Sequence, residues 1–438
     1  MLPLAKMRKN REILRLAVPN IISNVSVPLL STVDTALMGQ LSALHLGAVG
    51  IGSMLFNFIY WNFGFLRMGT TGLTAQAFGA NDKTQICQTF SRSLLVAATL
   101  AVLLLLLQIP IEWLSITLFQ VEAGQSDLVS TYFRIRIWAA PATLASYVLL
   151  GWFFGMQNAV YPLYLTVLIN VTNIIVSYVL IIHWNLGIAG AAWGTVFAQY
   201  LGIIGGALLL NHKYPSLVRR FTYRVMQDLE AFKEFFRINI DLFIRTFSLT
   251  FVFAFFYSQS SAAGTLILAA NVILLQMVNW MSYGIDGFAF AAESLVGKYK
   301  GERNESQVNL MIKYCLYWGF GFASFFALIY ALLGRSIFHL FTTELEVIEV
   351  GTPYLIYMIF FPIAGFLCYI WDGIYIGLTA TRTMRNVMLL SLVLFLVLNY
   401  GLKGPYGNHG LWLALLLFLL GRGLIQSIMY RKYGWEIE

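Results

Sequence analysis

One carboxylate sits where a charge is costly. The run from Val18 to Gly39 carries Asp34 well inside an otherwise apolar stretch that also holds Pro19 and Pro28. An acid in a bilayer-length segment faces a protein interior or a wet cavity and is by default a functional candidate. Each proline removes a backbone donor and loosens the helix around that acid. An ionisable group on a bendable helix reads as a switch. Four further acids fall inside apolar runs: Asp241, Asp286, Glu293 and Asp372. Arg245 lies one helical turn from Asp241, a spacing that predicts an i,i+4 pair within one helix. Glu293 and Asp372 fall towards the inner ends of their runs, where they can pair with arginine or reach water. Asp286 and Glu293 are two turns apart and share a helix face. Asp34 has no basic neighbour in its own turn. Elsewhere, Asn170, Asn173 and Ser177 fall on one helix face at i, i+3 and i+7, and Thr195 lies in the run that follows. Amides and hydroxyls of this kind also serve as packing glue between membrane helices.

The elements that hold these residues follow from composition. Of 438 residues, 59% are hydrophobic and only 11% charged, with a mean hydropathy of +0.74. That leaves too little polar surface for a soluble globule, so the expectation is an all-α integral membrane protein crossing the bilayer many times. A net charge of +8 suggests nucleic acid only where the basic residues gather on one face, and here they lie between apolar segments. About twenty apolar residues cross the hydrocarbon core. On that ruler, spans are expected near 13–39, 46–79, 91–111, 127–156, 160–183, 187–210, 235–258, 266–297, 309–333, 350–377, 384–402 and 408–430. The first run contains Asn20, Asn24 and Asp34 and lacks a small-residue cleavage pattern, so it is expected to be a retained span rather than a signal peptide.

Loop charges give an independent check, because lysine and arginine collect on the cytoplasmic side. With both termini inside, the inner segments hold 22 of the 28 basic residues, Arg92 and Arg422 among them, while the outer loops hold only Arg335 and Lys403. The expected location is a bacterial inner membrane, crossed twelve times, with both termini cytoplasmic.

The sequence also repeats itself at an offset of about 220 residues. Leu46–Asn57 lies over Leu268–Asn279, Gly79 over Gly301, Pro141 and Gly155 over Pro362 and Gly377, and Leu186–Gly190 over Tyr406–Gly410. Six spans per half make this a parallel repeat, an arrangement that places a substrate site between two bundles that rock against each other. The expected division is an N-terminal six-helix lobe over 1–215, a cytoplasmic connector over 216–234 and a C-terminal six-helix lobe over 235–438.

No phosphate cradle of the G-x-x-x-x-G-K-[ST] type is present, since Gly297-Lys298 lacks the upstream glycine and the following Ser or Thr. The scattered histidines and the well-separated Cys87, Cys315 and Cys368 form no metal-ligand spacing. No nucleophile, base or metal ligand set converges, so an enzyme is not expected. An ion gradient is the economical energy source, and an intramembrane acid is its natural carrier.

Together these residues resemble the multidrug and toxic compound extrusion family, in particular its DinF-like branch. The resemblance rests on Ala17-Val-Pro-Asn20, Val33-Asp-Thr-Ala-Leu-Met-Gly39, Asn170 to Asn173, Gly187-Ile-Ala-Gly-Ala-Ala-Trp-Gly-Thr195, Asp372-Gly-Ile-Tyr-Ile-Gly377 and Thr381-Arg-Thr-Met-Arg-Asn386. It implies twelve helices in two six-helix lobes, exporting amphipathic, often cationic compounds in exchange for protons or sodium. It further implies that Asp34, Asn173 and Thr195 belong to a cation site in the first lobe, with Pro19 at a bend of the first helix. Relatives often carry Asp where this chain has Ser177. Losing that carboxylate argues against sodium, because a hard cation prefers charged oxygen ligands. Proton coupling is therefore expected, with sodium at Asp34 as the alternative and no cofactor.

A polyspecific chamber needs soft walls with few fixed polar groups. Met54, Phe58, Trp61 and Met68 in the second span, and Met277, Trp280, Met281, Tyr283 and Asp286 in the eighth, offer thioethers, aromatic faces and one acid that suit amphipathic cations. Their partners would be small molecules and the lipid bilayer, not nucleic acid, with the chain acting as a monomer. The competing reading is a lipid-linked oligosaccharide flippase of related fold. Its cavity would need several cations for pyrophosphate, and only Arg67 and Arg245 are central.

Overall fold

A computed structural model describes residues 2–39, 42–118, 121, 123–220 and 229–437; the side chains of 2–6, 27–39, 43, 118, 123, 229 and 231 lie outside the description. Among the described residues, all regular structure is helical. In chain order the helices are α1 (Leu2–Gly39), α2 (Ala43–Asn62), α3 (Phe65–Gly79), α4 (Lys83–Leu106), α5 (Gln108–Leu118), α6 (Ala123–Arg136), α7 (Ala140–Gly155), α8 (Val160–Tyr178), α9 (Gly187–Lys213), α10 (Pro215–Val218), α11 (Leu229–Ala262), α12 (Thr265–Gly301), α13 (Glu305–Phe341), α14 (Leu345–Gly351), α15 (Leu355–Gly377), α16 (Thr381–Tyr406) and α17 (Asn408–Tyr433). Eleven stretches among the described residues are long and apolar enough to cross a membrane. With α1, which is 38 residues long, the chain is an all-α protein of twelve membrane helices.

Several spans are built from two pieces, and the sequence explains where they break. The run expected over 91–111 stops at Leu106, and α5 begins at Gln108. Pro110 is the cause: its missing N–H is harmless in the first turn of a helix, where donors have no partner inside the helix, but not in the interior. At 11 residues, α5 is too short to cross a hydrocarbon core about 30 Å thick. In the fourth span a 3₁₀ turn, Ile137–Ala139, joins α6 to α7, whose first turn holds Pro141. The tenth span repeats the device with Thr352–Tyr354 between α14 and α15, around Pro353.

The internal repeat is legible in the backbone. Non-glycine residues with positive φ are uncommon, yet they recur at matching turns: Asn81 (φ 55°) and Arg303 (φ 54°), Gln157 (φ 61°) and Thr379 (φ 53°). Close helix contacts recur as well. A Cβ at Gly151 on α7 would strike the carbonyl oxygen of Arg67 on α3, and one at Gly373 on α15 would strike that of Ala289 on α12. One turn later, a Cβ at Gly155 or Gly377 would lie 2.9 or 2.6 Å from the carbonyl oxygen of Thr71 or Glu293. Glycine at these positions lets two backbones touch, which in lipid supplies packing that the hydrophobic effect cannot.

The helices form two compact units: Met1–Ile21 with Arg237–Glu438, and Ile22–Phe236. The division by packing thus falls inside α1, whereas the expected first lobe runs from residue 1 to 215; part of the expected 216–234 connector lies outside the described residues. The first half of α1 is held by the later helices. Lys9 Nζ donates to Tyr299 Oη at 2.7 Å, Glu12 accepts from both Lys9 and Tyr299 at 3.1 Å, and Trp318 Nε1 donates to Asn10 Oδ1 at 3.1 Å. Deeper along α1, a Cβ at Gly287 would lie 3.0 Å from the carbonyl oxygen of Ala17. α1 runs through Pro19 as a continuous helix.

Candidate functional site

Asp34 lies on α1, and its side chain is outside the described residues. The residues expected beside it form a neutral polar cluster in the Ile22–Phe236 unit. Asn173 on α8 is buried and its Nδ2 donates to Thr195 Oγ1 on α9 at 2.9 Å; Thr195 in turn donates to the carbonyl of Ala191 at 3.2 Å. One turn before Asn173, Asn170 Nδ2 donates to Ser26 Oγ on α1 at 3.0 Å. Ser177 completes the same face of α8. It is fully buried, and its Oγ has no hydrogen-bond partner among the described residues. The reason is α9: the space that a Cβ at Gly194 would fill is taken by the Ser177 hydroxyl. The pattern Gly187-x-x-Gly190-x-x-x-Gly194 allows α9 to approach α8 this closely. A carboxylate at 177 would need room that this contact has used. The i, i+3, i+7 reading of α8 therefore corresponds to one polar face, directed partly at α1 and partly at α9.

The Met1–Ile21 and Arg237–Glu438 unit holds its polar groups differently. Asp372 on α15 accepts on Oδ2 from Arg245 of α11 and from Arg422 Nη2 of α17 at 3.3 Å, and on Oδ1 from Gln426 Nε2 at 2.8 Å. Arg422 also donates to Cys368 Sγ at 3.1 Å. A second pair joins Arg385 Nη1 of α16 to Asp241 Oδ1 at 2.5 Å, with Thr381 Oγ1 donating to Oδ2 at 3.3 Å. This corrects the expected pairing of Asp241 with Arg245. Each of the two bonds across helices rather than along α11, because the facing helices offer opposite charges and a buried ion keeps its place only with such a partner. Asp372 pairs with arginine, one of the two outcomes its position predicts. Held by three donors, it would accept a mobile cation only by displacing one of them.

Sequence reasoning missed Arg422. The loop tally counts it among the inner basic residues, but it is 1% exposed within α17. Arg92 on α4, counted the same way, is 6% exposed. The signal that was available is Arg422-x-x-x-Gln426, two polar residues one turn apart in an apolar run, facing a helix that carries Asp372.

The chamber candidates separate into three groups. Met54, Phe58, Trp61 and Trp280 present open surface, and Met68, Tyr283 and Asp286 are partly buried. Met277 and Met281 are fully enclosed, with Tyr330 Oη donating to the Met277 carbonyl at 2.6 Å. Asp286 lies within electrostatic reach of Tyr283 and Tyr369. Of the two central cations a flippase would use, Arg245 is committed to Asp372, and Arg67 lies 6.0 Å from the centre of the Phe154 ring. The three cysteines are free and buried, and no group of three or more potential metal ligands occurs among the described residues.

Comparison with known proteins identifies the family and the fold. The MatE family model matches residues 19–179 and again 242–401, once in each half. The chain is 35% identical to the DNA damage-inducible protein F of Escherichia coli (strain K12), over 95% of this chain and 91% of that one. It is 27% identical to a probable multidrug resistance protein NorM of Rhizobium meliloti, over 95% and 91% of the two chains. Among solved structures, a MATE transporter in the bent conformation matches with a TM-score of 0.84 at 20% identity, covering 97% of this chain and 95% of that one. The Vibrio cholerae MATE transporter VcmN, in a mutant form, matches with a TM-score of 0.85 at 19% identity, over 98% and 99%. The doubled family match, the relative at 35% identity and the twelve membrane helices have one reading: the chain belongs to the MatE family of multi-pass membrane transporters.

Proposed function

We propose that the chain exports amphipathic, often cationic compounds across a bacterial inner membrane in exchange for protons, acting as a monomer with both termini cytoplasmic. The observation that carries this reading is the neutral cluster on α8 and α9. Asn173, Thr195 and Ser177 bring hydroxyl and amide groups but no charge, and Ser177 is packed where relatives often have Asp. Asp34 is then the one acid of the coupling site. A single carboxylate with neutral oxygen partners suits a proton, which needs one basic atom, better than a sodium ion, which needs several charged or carbonyl ligands.

A proton arriving from the outer side neutralises Asp34, changes which hydrogen bonds Asn173 and Thr195 can make, and shifts the population of α1 conformers around Pro19. Substrate held in the deprotonated state is released outward, and loss of the proton inside resets the cycle. Coupling of about 1.4 kcal/mol, the equivalent of one pKa unit between conformers, biases the equilibrium tenfold. In the Ile22–Phe236 unit the exposed apolar surfaces of Met54, Phe58 and Trp61 supply contact without fixed polarity, and in the other unit Trp280 does the same while Asp286 supplies charge for a cation. The test is proton flux in sodium-free proteoliposomes carrying an internal pH dye. Addition of a lipophilic cation should stimulate flux; flux that requires sodium would overturn proton coupling.

A further inference from the structure

The inner end of α4 carries a cavity that the coupling site does not use. It measures about 380 Å³ and is lined by Thr84, Cys87, Gln88 and Arg220. Its construction is local. Cys87 Sγ donates to the carbonyl of Leu217 at 3.5 Å, which docks the short α10 against α4, and the turn that follows, Arg220 N–H to Leu217 O at 2.9 Å, brings Arg220 over the first turns of α4. The cavity falls within the range of about 300–1,000 Å³ typical of small-ligand sites. Its polar wall offers a hydroxyl, an amide and a guanidinium. The nearby acid, Asp82, is already engaged, accepting from the backbone N–H groups of Thr84 and Gln85 at 2.9 Å.

A further basic residue lies one turn deeper on α4, beyond the cavity lining. Arg92 follows Gln88 at i,i+4 on the same side of α4. It is 6% exposed, and its Nε and Nη2 have no hydrogen-bond partner among the described residues. Leu94, two turns beyond Cys87 on the same side, presents an exposed apolar surface. The order along α4 is therefore charge, amide and hydroxyl at the end the basic-residue pattern assigns to the cytoplasm, then apolar surface towards the membrane interior. Basic pockets beside membrane helices on that side suit anionic headgroups.

We propose that this cavity binds the phosphate of an inner-leaflet anionic phospholipid, with Arg220 and Gln88 on the phosphate oxygens and an acyl chain running along α4 past Leu94. The test uses the purified full chain in a neutral detergent, with its melting temperature followed as phosphatidylglycerol, phosphatidylcholine or inorganic phosphate is added. Phosphatidylglycerol should raise the midpoint by about 3 °C at saturation, and Arg220→Gln and Gln88→Leu should each lose that rise while keeping the lipid-free midpoint of the parent. Phosphatidylcholine should have no comparable effect. A rise with inorganic phosphate alone, lost in Arg220→Gln, would retain the phosphate site but overturn the lipid as its source. An equal rise in parent and Arg220→Gln, or none in either, would overturn the site.

Discussion

Two buried polar clusters, one in each unit, are built in opposite ways. In the Ile22–Phe236 unit the polar face of α8 is neutral: Asn173 reaches Thr195, Asn170 reaches Ser26, and the Ser177 hydroxyl lies against Gly194 with no hydrogen-bond partner among the described residues. In the Met1–Ile21 and Arg237–Glu438 unit a second cluster is ionic: Arg245 and Arg422 share Asp372, and Arg385 holds Asp241. Neutral hydrogen bonds can be rearranged at a cost near 1 kcal/mol each. Breaking a buried ion pair leaves an uncompensated charge and costs about 3–5 kcal/mol. The neutral cluster is therefore cheaper to rearrange than the ionic one, although the two units share a backbone repeat.

The sharpest way to break the comparison is Asp372→Asn. It leaves two arginines with one neutral partner and should destabilise the protein by about 3–5 kcal/mol, read as a large fall in melting midpoint and in folded yield. Gly373→Ala comes next. Its Cβ meets the backbone of Ala289, so overpacking should cost about 1–3 kcal/mol, whereas Gly401→Ala, with open space around it, should melt like the parent. In the neutral cluster, Asn173→Ala should cost only about 1 kcal/mol while impairing export disproportionately. A midpoint loss for Asn173→Ala as large as that for Asp372→Asn would erase the contrast between the units. The smallest effect is expected at the docked start of α1: Tyr299→Phe removes the hydroxyl shared by Lys9 and Glu12 and should lower the midpoint by the equivalent of about 0.5–1 kcal/mol.

Span number, helical class and the parallel repeat were legible in sequence because each rests on local signals: apolar length, proline position, and glycine where two backbones touch. Gly155 aligned with Gly377, and the structure gives that pair the same work; Pro141 aligned with Pro362, but Pro141 opens α7 whereas Pro362 lies inside α15, and the matching break falls at Pro353. The face of α8 was legible too, since helical period alone fixes it. The ionic cluster was not. Asp241 and Arg245 stand at a spacing that fits an intrahelical pair, and only tertiary packing reveals that Arg385 and Asp372 are better placed. Arg422 read as a loop cation because a count of charges carries no depth. The break before α5 needed the position of Pro110 within its helix, which hydropathy ignores.

The central proposal is that Asp34 is the proton carrier. The measurement that addresses it most directly is export of a lipophilic cation from energised, sodium-free vesicles containing equal amounts of folded parent or Asp34→Asn. The variant fixes a neutral side chain of nearly the same shape, so it should insert and melt like the parent yet lose pH-gradient-driven export by tenfold or more, the equivalent of about 1.4 kcal/mol of coupling. Pro19→Ala, assayed alongside, should keep the acid and show a smaller loss. Export by Asp34→Asn at the parental rate, still collapsing when the pH gradient is dissipated, would place the carrier elsewhere and contradict the account.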